Sequence, residues 1–275
     1  HPFSRTEALH RAFTRYRERV AVTGARGGKT TAGVADVRHR GITQPGYDNE
    51  DRDRGEPYSI FIGAPDFPTI KRVILPAFLR SIPIDIIAKP YNQTDHLLKI
   101  HGMKGITDIY FLSGKFSDTW QGVKAYGVWL DEFARLKESM YDEARTRLME
   151  RKGWLLITGT QQEPDWAYDG LLVPFQRGTR KDLYLTTWHT VQNERLPDHV
   201  LEEIARHKAT MPPKYFKRTY EASWDVFEGQ VYEEWHDAVH VVPGADFTFV
   251  TKRGTIGTGK KMVRLARVVA GVVDQ

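Results

Sequence analysis

Short apolar runs alternate with longer amphipathic stretches along most of this chain, and that alternation predicts its architecture. Residues 19–23, 58–63, 108–112, 126–130, 154–158 and 183–188 have strand length and near-continuous hydrophobicity, as expected of strands covered on both faces. Between them, 68–80, 137–151 and 197–207 have helical patterning. In the second of these, Met140, Ala144 and Leu148 recur every four residues and mark one buried face. A further helix is expected from Lys29 through Val37. Strand, helix, strand alternation of this kind predicts an α/β fold with a mainly parallel β-sheet flanked by helices.

Two stretches depart from the alternation. Residues 43–57 carry Asp48, Glu50, Asp51, Asp53 and Glu56, but Arg52 and Arg54 stand where a calcium loop needs ligands or its turn glycine. The stretch is therefore read as a solvated loop. Beyond Tyr232 the texture changes. A Gly/Lys-rich run over 251–261 precedes an apolar run, 268–273, that ends at Asp274 and reads as the first strand of another domain. The expected organisation is a first domain over 1–232, then a linker and the opening strand of a second domain over 233–275.

Composition narrows the class without choosing a function. A chain of 275 residues, 40% hydrophobic, can bury a sizeable core, and no apolar run approaches the length of a membrane span. The absence of cysteine excludes disulfides and thiolate metal sites. With a start, His1-Pro2-Phe3-Ser4-Arg5, that lacks signal-peptide layout, it fits a cytoplasmic protein. A net charge of +5 leans toward a polyanionic partner.

The chemistry begins at the end of the first predicted strand. Gly24, Ala25, Arg26, Gly27 and Gly28 lead into Lys29, Thr30 and Thr31. A nucleoside triphosphate needs backbone N–H groups that close on its oxygens, a cation for the β- and γ-phosphates, and a hydroxyl for Mg²⁺; these residues offer them in that order. The following helix aims its N-terminal dipole at the same anion. The usual first glycine, six residues before the lysine, is Thr23 here. A second near-match, Gly254 to Lys261, has Lys261 in place of the metal-binding hydroxyl and reads as a basic surface loop.

Holding a triphosphate is not hydrolysing it, and a second acidic site is required. The predicted strand 126–130 delivers Asp131 and Glu132 to its C-terminal end. In such ATPases the Asp holds Mg²⁺ and the Glu orients and deprotonates the attacking water; acidic residues also suit the first turn of a helix. A third strand ends in Thr158, Gly159 and Thr160, where a hydroxyl could sense the γ-phosphate, or simply begin a loop. Arg26 is placed either to stabilise transition-state charge or to hold an acidic neighbour.

With these motifs in order, the chain resembles the large terminase subunit of tailed bacteriophages, the motor that pumps double-stranded DNA into the procapsid. Residues 58–65 resemble that family's second strand, and 187–197 its segment before the late helices. Residues 215–224 and 227–232 are similar to its passage from ATPase to nuclease, and 270–274 to the opening strand of its ribonuclease-H-like nuclease. The resemblance implies a P-loop NTPase of the additional-strand, catalytic-glutamate type. It implies ATP and Mg²⁺ as ligands, with Lys29 and Thr30 on phosphate and metal, Asp131 on the metal, Glu132 on the water, and Thr158–Thr160 as a coupling motif. Asp274 would be the first metal ligand of a nuclease that uses Mg²⁺ or Mn²⁺. The implied partners are double-stranded DNA, a portal protein, a small terminase subunit and further copies in a ring, a pentamer on the procapsid, within the host cytoplasm.

The chain departs from the family at two places. Members commonly carry the loop arginine where Ala25 stands, one place before Arg26, and no adenine-reading glutamine is evident near Thr6 to Leu9. Since a nuclease of that kind needs several carboxylates and only Asp274 is present, the expectation is Mg²⁺-dependent ATP hydrolysis without DNA cleavage. A helicase or DNA-repair ATPase would share the phosphate loop and the acid pair but would add further nucleic-acid motifs. A nucleotide-binding scaffold would give Glu132 no task, and a small-molecule kinase would transfer phosphate to an acceptor other than water. Lys71, Arg72, Arg80, Lys214, Lys217 and Arg218 are the candidates for phosphate-directed DNA contact, or an ordinary solvated basic face.

Overall fold

A computed structural model describes residues 4–114, 124–161 and 166–224, together with the backbone of 248–250 and 256–258. The chain divides into two compact units, residues 1–224 and 225–275. In the second unit, strands Thr248–Val250 and Ile256–Thr258 pair antiparallel. Part of the run read as a basic surface loop, 254–261, is thus strand. Its other residues lie outside those described, as does Asp274.

The first unit is built on an eight-stranded sheet of order β3 (Ile87–Asn92), β4 (Leu97–His101), β5 (Ile106–Ser113), β2 (Tyr58–Ala64), β6 (Gly127–Asp131), β7 (Trp154–Gly159), β1 (Glu18–Thr23), β8 (Leu183–Trp188). The expected apolar runs form β1, β2, β5, β6, β7 and β8, and these run parallel. Successive side chains on a strand point to opposite faces, and the core divides accordingly. Ala21, Ile60, Ile62, Trp129 and Leu156 pack on one face, against Val34 and Val37 of helix α2 (Lys29–Thr43). Val20, Val22, Phe61, Val128, Leu130 and Ile157 pack on the other, against Met140, Ala144 and Leu148 of α5 (Glu138–Met149). The result is a helix–sheet–helix sandwich. Among the described residues no helix is long and apolar enough to cross a membrane.

Three local expectations need correction. Strands β3 (Ile87–Asn92) and β4 (Leu97–His101) form an antiparallel edge that the apolar pattern does not reveal. The stretch read as a solvated loop contains a short helix, α3 (Asn49–Asp53), whose Asp51 is fully buried. Arg151 lies 2.6 Å and Arg54 2.9 Å from its carboxylate, and the Tyr126 hydroxyl donates to it. The helix expected over 68–80 is α4, which runs as Phe67–Thr69, a π-helical turn over Ile70–Ile74, and Leu75–Ser81. Pro76 cannot donate and its ring would press on the carbonyl four residues back; the wide turn before it relieves both problems. Pro174 is preceded by the same device over Tyr168–Leu172, before α6 (Val173–Gln176).

Helix α2 is fixed from behind by a buried ionic cluster. Arg19 meets Asp36 through both terminal guanidinium nitrogens, Nη1 and Nη2, at 2.9 and 2.7 Å. Arg40 meets it at 2.8 and 2.9 Å, and His10 Nδ1 lies 2.8 Å from Oδ1. Burial alone would raise the Asp36 carboxyl, but Arg19, His10 and Arg40 together hold it well below the usual carboxylate range. The cluster ties helix α1 (Ser4–Arg11) and the start of β1 to the helix that carries Lys29. Asp36→Asn leaves two buried guanidinium groups without their anion and is expected to lower stability by about 3–5 kcal/mol in urea unfolding. Because the folded-state carboxyl is depressed, the gap to the unchanged protein persists from neutral pH downward and closes only in strong acid. A gap below about 1 kcal/mol at pH 7 would contradict this account.

Candidate active site

The sheet delivers its chemistry at one edge, where the C-terminal ends of β1, β6, β7 and β8 lie side by side. The loop from Gly24 to Gly28 turns its carbonyls outward. Gly24 O accepts from the Gly27 N–H and the Thr23 hydroxyl, Ala25 O from the Thr190 hydroxyl, Arg26 O from the Asn193 amide, and Gly27 O from the Trp188 indole. The first helical bond of α2 runs from Ala32 N–H to Gly28 O. The N–H groups of Lys29, Thr30 and Thr31 therefore have no helical acceptor and face the loop's concavity. Arg26 and Gly28 adopt left-handed backbone, φ 60° and 85°, which closes the anion nest. At Gly24 an added Cβ would lie 2.3 Å from Tyr220 O. Only glycine fits there.

Across the loop, parallel register sets Asp131 opposite Thr158. The Thr158 hydroxyl donates to Asp131 Oδ1 at 2.6 Å and accepts from the Trp129 indole at 2.8 Å. The Thr30 hydroxyl reaches Asp131 Oδ2 at 3.1 Å. Burial pushes the Asp131 carboxyl up to about 6; the Thr158 bond and Lys29 oppose the shift, and neighbouring Glu132 adds to it. A cation at this position would favour the ionised form. The Lys29 ammonium lies 3.3 Å from Glu132 Oε1 and 3.1 Å from the Thr160 hydroxyl. Glu132 itself has φ 56°, a conformation that costs a non-glycine residue on the order of 1–3 kcal/mol and clusters at functional sites.

The expected residues therefore converge. Thr30 and Thr158 both bond to Asp131, and Lys29 contacts both Glu132 and Thr160, so the phosphate loop, the acid pair and the end of β7 meet. Arg26 projects its guanidinium to the surface and makes no ion pair among the described residues, so it does not hold an acidic neighbour there. Thr30 and Asp131 are hard oxygen donors of the kind Mg²⁺ takes. Among the described residues no group of three or more His, Cys, Asp or Glu could hold a metal unaided. Nucleotide phosphates and water would have to complete its shell, as is usual for Mg²⁺. Of the basic candidates, Lys71, Arg72 and Arg80 are exposed on α4, while Lys214, Lys217 and Arg218 lie on α8 (Pro213–Tyr220), which follows α7 (Asp198–Thr210), with Arg218 over the Tyr215 ring.

Several residues at the site are not evident from the motifs. Trp129 and Trp188 donate to Thr158 and to the loop, and Thr190 and Asn193 hold loop carbonyls from outside. Gly33 lets α2 lie against Trp129, since an added Cβ would sit 2.1 Å from the indole. A glycine within a helix, where alanine is favoured by about 1 kcal/mol, is the signal that could have flagged it.

Fold and site together define a P-loop NTPase whose extra strand, β7, separates the phosphate-loop strand β1 from the acidic strand β6. Residues 20–234 match the family model for the terminase large subunit, T4-like virus type, N-terminal. The chain belongs to that family. Its fold is similar to the large-terminase ATPase domain of Thermus phage P74-26, with TM-score 0.63 and 18% identity over 82% of this chain and 94% of that one. It is also similar to the large terminase of another thermophilic bacteriophage, with TM-score 0.69 and 17% identity over 91% of this chain. The match spans 61% of that second protein, which has also been solved with ADP and with ATP-gamma-S. Comparison with curated proteins finds no match.

The Gly33–Trp129 contact makes a sign prediction. Gly33→Ala, which ordinarily strengthens a helix, is expected to lower stability by about 1–3 kcal/mol through overpacking, read in denaturant unfolding. A variant as stable as the unchanged protein, or more so, would contradict the contact.

Proposed function

We propose that this chain is the ATP-hydrolysing motor portion of a viral large terminase subunit, using Mg²⁺–ATP to translocate double-stranded DNA into a procapsid. The observation that carries the reading is the 3.1 Å approach of the Thr30 hydroxyl to Asp131, with Glu132 and Lys29 beside it at the mouth of the loop. A site that only stored nucleotide would have no use for Glu132. Thr30 and Asp131 would hold Mg²⁺, which when bound would supply charge neutralisation at the β- and γ-phosphates. Lys29 and the inward N–H groups bind the phosphates and stabilise the charge that develops on them. Lys29, turning to the phosphates, releases Glu132 to take a proton from water as that water adds to the γ-phosphorus and the bond to the β–γ bridging oxygen breaks.

On this reading Thr158, Gly159 and Thr160 couple the site to movement. Thr160 shares Lys29 with Glu132 and Thr158 shares Asp131 with Thr30, so a change at the phosphate alters both contacts. Arg26, exposed beside the phosphates, would be a finger in its own subunit or give way to an arginine from a neighbour. The reading extends to a ring of subunits, a pentamer on the portal protein, with a small terminase subunit, in the host cytoplasm. DNA contact is assigned to the basic groups on α4 and α8. A second domain, with Asp274 among its Mg²⁺ or Mn²⁺ ligands, would supply an endonuclease to the full-length protein; the domain division at 232/233 belongs to the same reading.

Glu132→Gln is expected to reduce phosphate release from ATP by about 100-fold or more while leaving ATP affinity, measured with a fluorescent analogue, nearly unchanged. Hydrolysis at the unchanged rate would overturn the assignment.

A further inference from the structure

Glu132 is strained, and something must hold it so. The residue that follows it, Phe133, is fully buried and begins a short 3₁₀ turn, Phe133–Arg135. Phe133 lies against Gly159, where an added Cβ would meet its ring at 2.4 Å. Two indoles confine it further. Trp166 stands edge-on, with centroids 6.3 Å apart, and Trp224 stacks on it at 6.1 Å with an interplanar angle of 19°. Trp166 is itself anchored, donating to Leu136 O at 3.0 Å and stacking on Tyr141.

Trp224 is different. Its indole N–H is buried and has no hydrogen-bond partner among the described residues, where its contacts are with the rings of Phe133 and Tyr168. It is also the last residue of the first compact unit. The chain reaches it from α8, which is tied to the phosphate loop because the Ala25 N–H donates to Thr219 O at 2.6 Å. Buried Ala222, with φ 52°, then turns the chain back toward Phe133.

We infer that Trp224 is a positioning residue for hydrolysis: by stacking on Phe133 it holds the backbone turn that aims the Glu132 carboxylate into the phosphate loop. The inference rests on the reading of Glu132 as the group that takes the proton from water. It makes the exit from the ATPase unit part of the apparatus that sets the hydrolysis rate, since displacement of Trp224 loosens Glu132 without touching a phosphate contact.

The test compares Trp224→Ala and Trp224→Phe with the unchanged chain, each shown by thermal melting to be folded at the assay temperature. Steady-state ATP hydrolysis gives kcat and KM, and ATP-gamma-S binding gives affinity. Trp224→Ala is expected to lower kcat about tenfold or more, the scale on which misplacement of a reacting group acts, with KM and ATP-gamma-S affinity within about twofold. Trp224→Phe gives up the five-membered ring with its N–H but keeps an aromatic face against Phe133, so it restores most of kcat. If Trp224→Ala does not fold, Trp224→Leu carries the same expectation. Full kcat in a folded Trp224→Ala or Trp224→Leu overturns the inference, as does an equal loss in Trp224→Phe. Glu132→Gln separates the two levels. If it is inactive while the Trp224 variants are normal, only the positioning role fails; if it hydrolyses ATP normally, the assignment of Glu132 fails and the positioning role with it.

Discussion

The site depends on a single register. Parallel pairing of β6 with β7 brings Asp131 opposite Thr158, and that pairing lets a fully buried carboxylate exist at a sheet edge. An unsatisfied carboxylate there would be expensive. The Thr158 and Thr30 hydroxyls each supply one of its oxygens with a donor, and Trp129 fixes the Thr158 rotor by donating to it. One hydrogen-bonded chain thus links the extra strand, the acidic strand and the first turn of the phosphate-loop helix. A slip of one residue would turn Thr158 to the other face of the sheet and leave Asp131 without its partner.

Around this chain, two left-handed residues are supported by distant parts of the fold. Arg26 and Glu132 both occupy left-handed backbone, one in the phosphate loop and one at the acid pair. Each is held by residues far away in sequence: Asn193 grips the carbonyl of Arg26, and Phe133 sits among Gly159, Trp166 and Trp224. The Asp36 cluster works from the opposite side of α2, fixing the helix so that its first turn can present N–H groups to an anion. Rigid elements hold the reacting groups, and the segments after β8 press on them from outside.

How much of this was legible in the sequence followed from burial. Strands β1, β2, β6 and β7 could be read because both their faces are covered, which leaves apolar runs. β3 and β4 could not, because they form a partly exposed edge where Lys89, Pro90 and Lys99 interrupt the pattern. Asp51 looked solvated because its partner Arg151 and the Tyr126 hydroxyl come from remote parts of the chain. The closeness of Lys29, Thr30, Asp131 and Glu132 was legible because the motifs they belong to restrict residue type and spacing. Trp129, Trp188 and Phe133 were not, since an aromatic at those positions reads equally well as ordinary core; Gly33 alone carried a signal, a glycine inside an expected helix. Asp274 lies outside the described residues, and its assignment still rests on sequence alone.

On the proposed reading, the Thr158 hydroxyl, through Asp131, makes the site competent for Mg²⁺-dependent ATP hydrolysis. Thr158→Val keeps the shape of the side chain and removes the hydroxyl, leaving both Asp131 and the Trp129 N–H short of a partner, whereas Thr158→Ser keeps the hydroxyl. The decisive measurement is Mg²⁺-dependent ATP turnover of the two folded variants side by side. The account predicts a loss of about tenfold or more in Thr158→Val and near-normal turnover in Thr158→Ser. Normal turnover in Thr158→Val, or an equal loss in both, would contradict it.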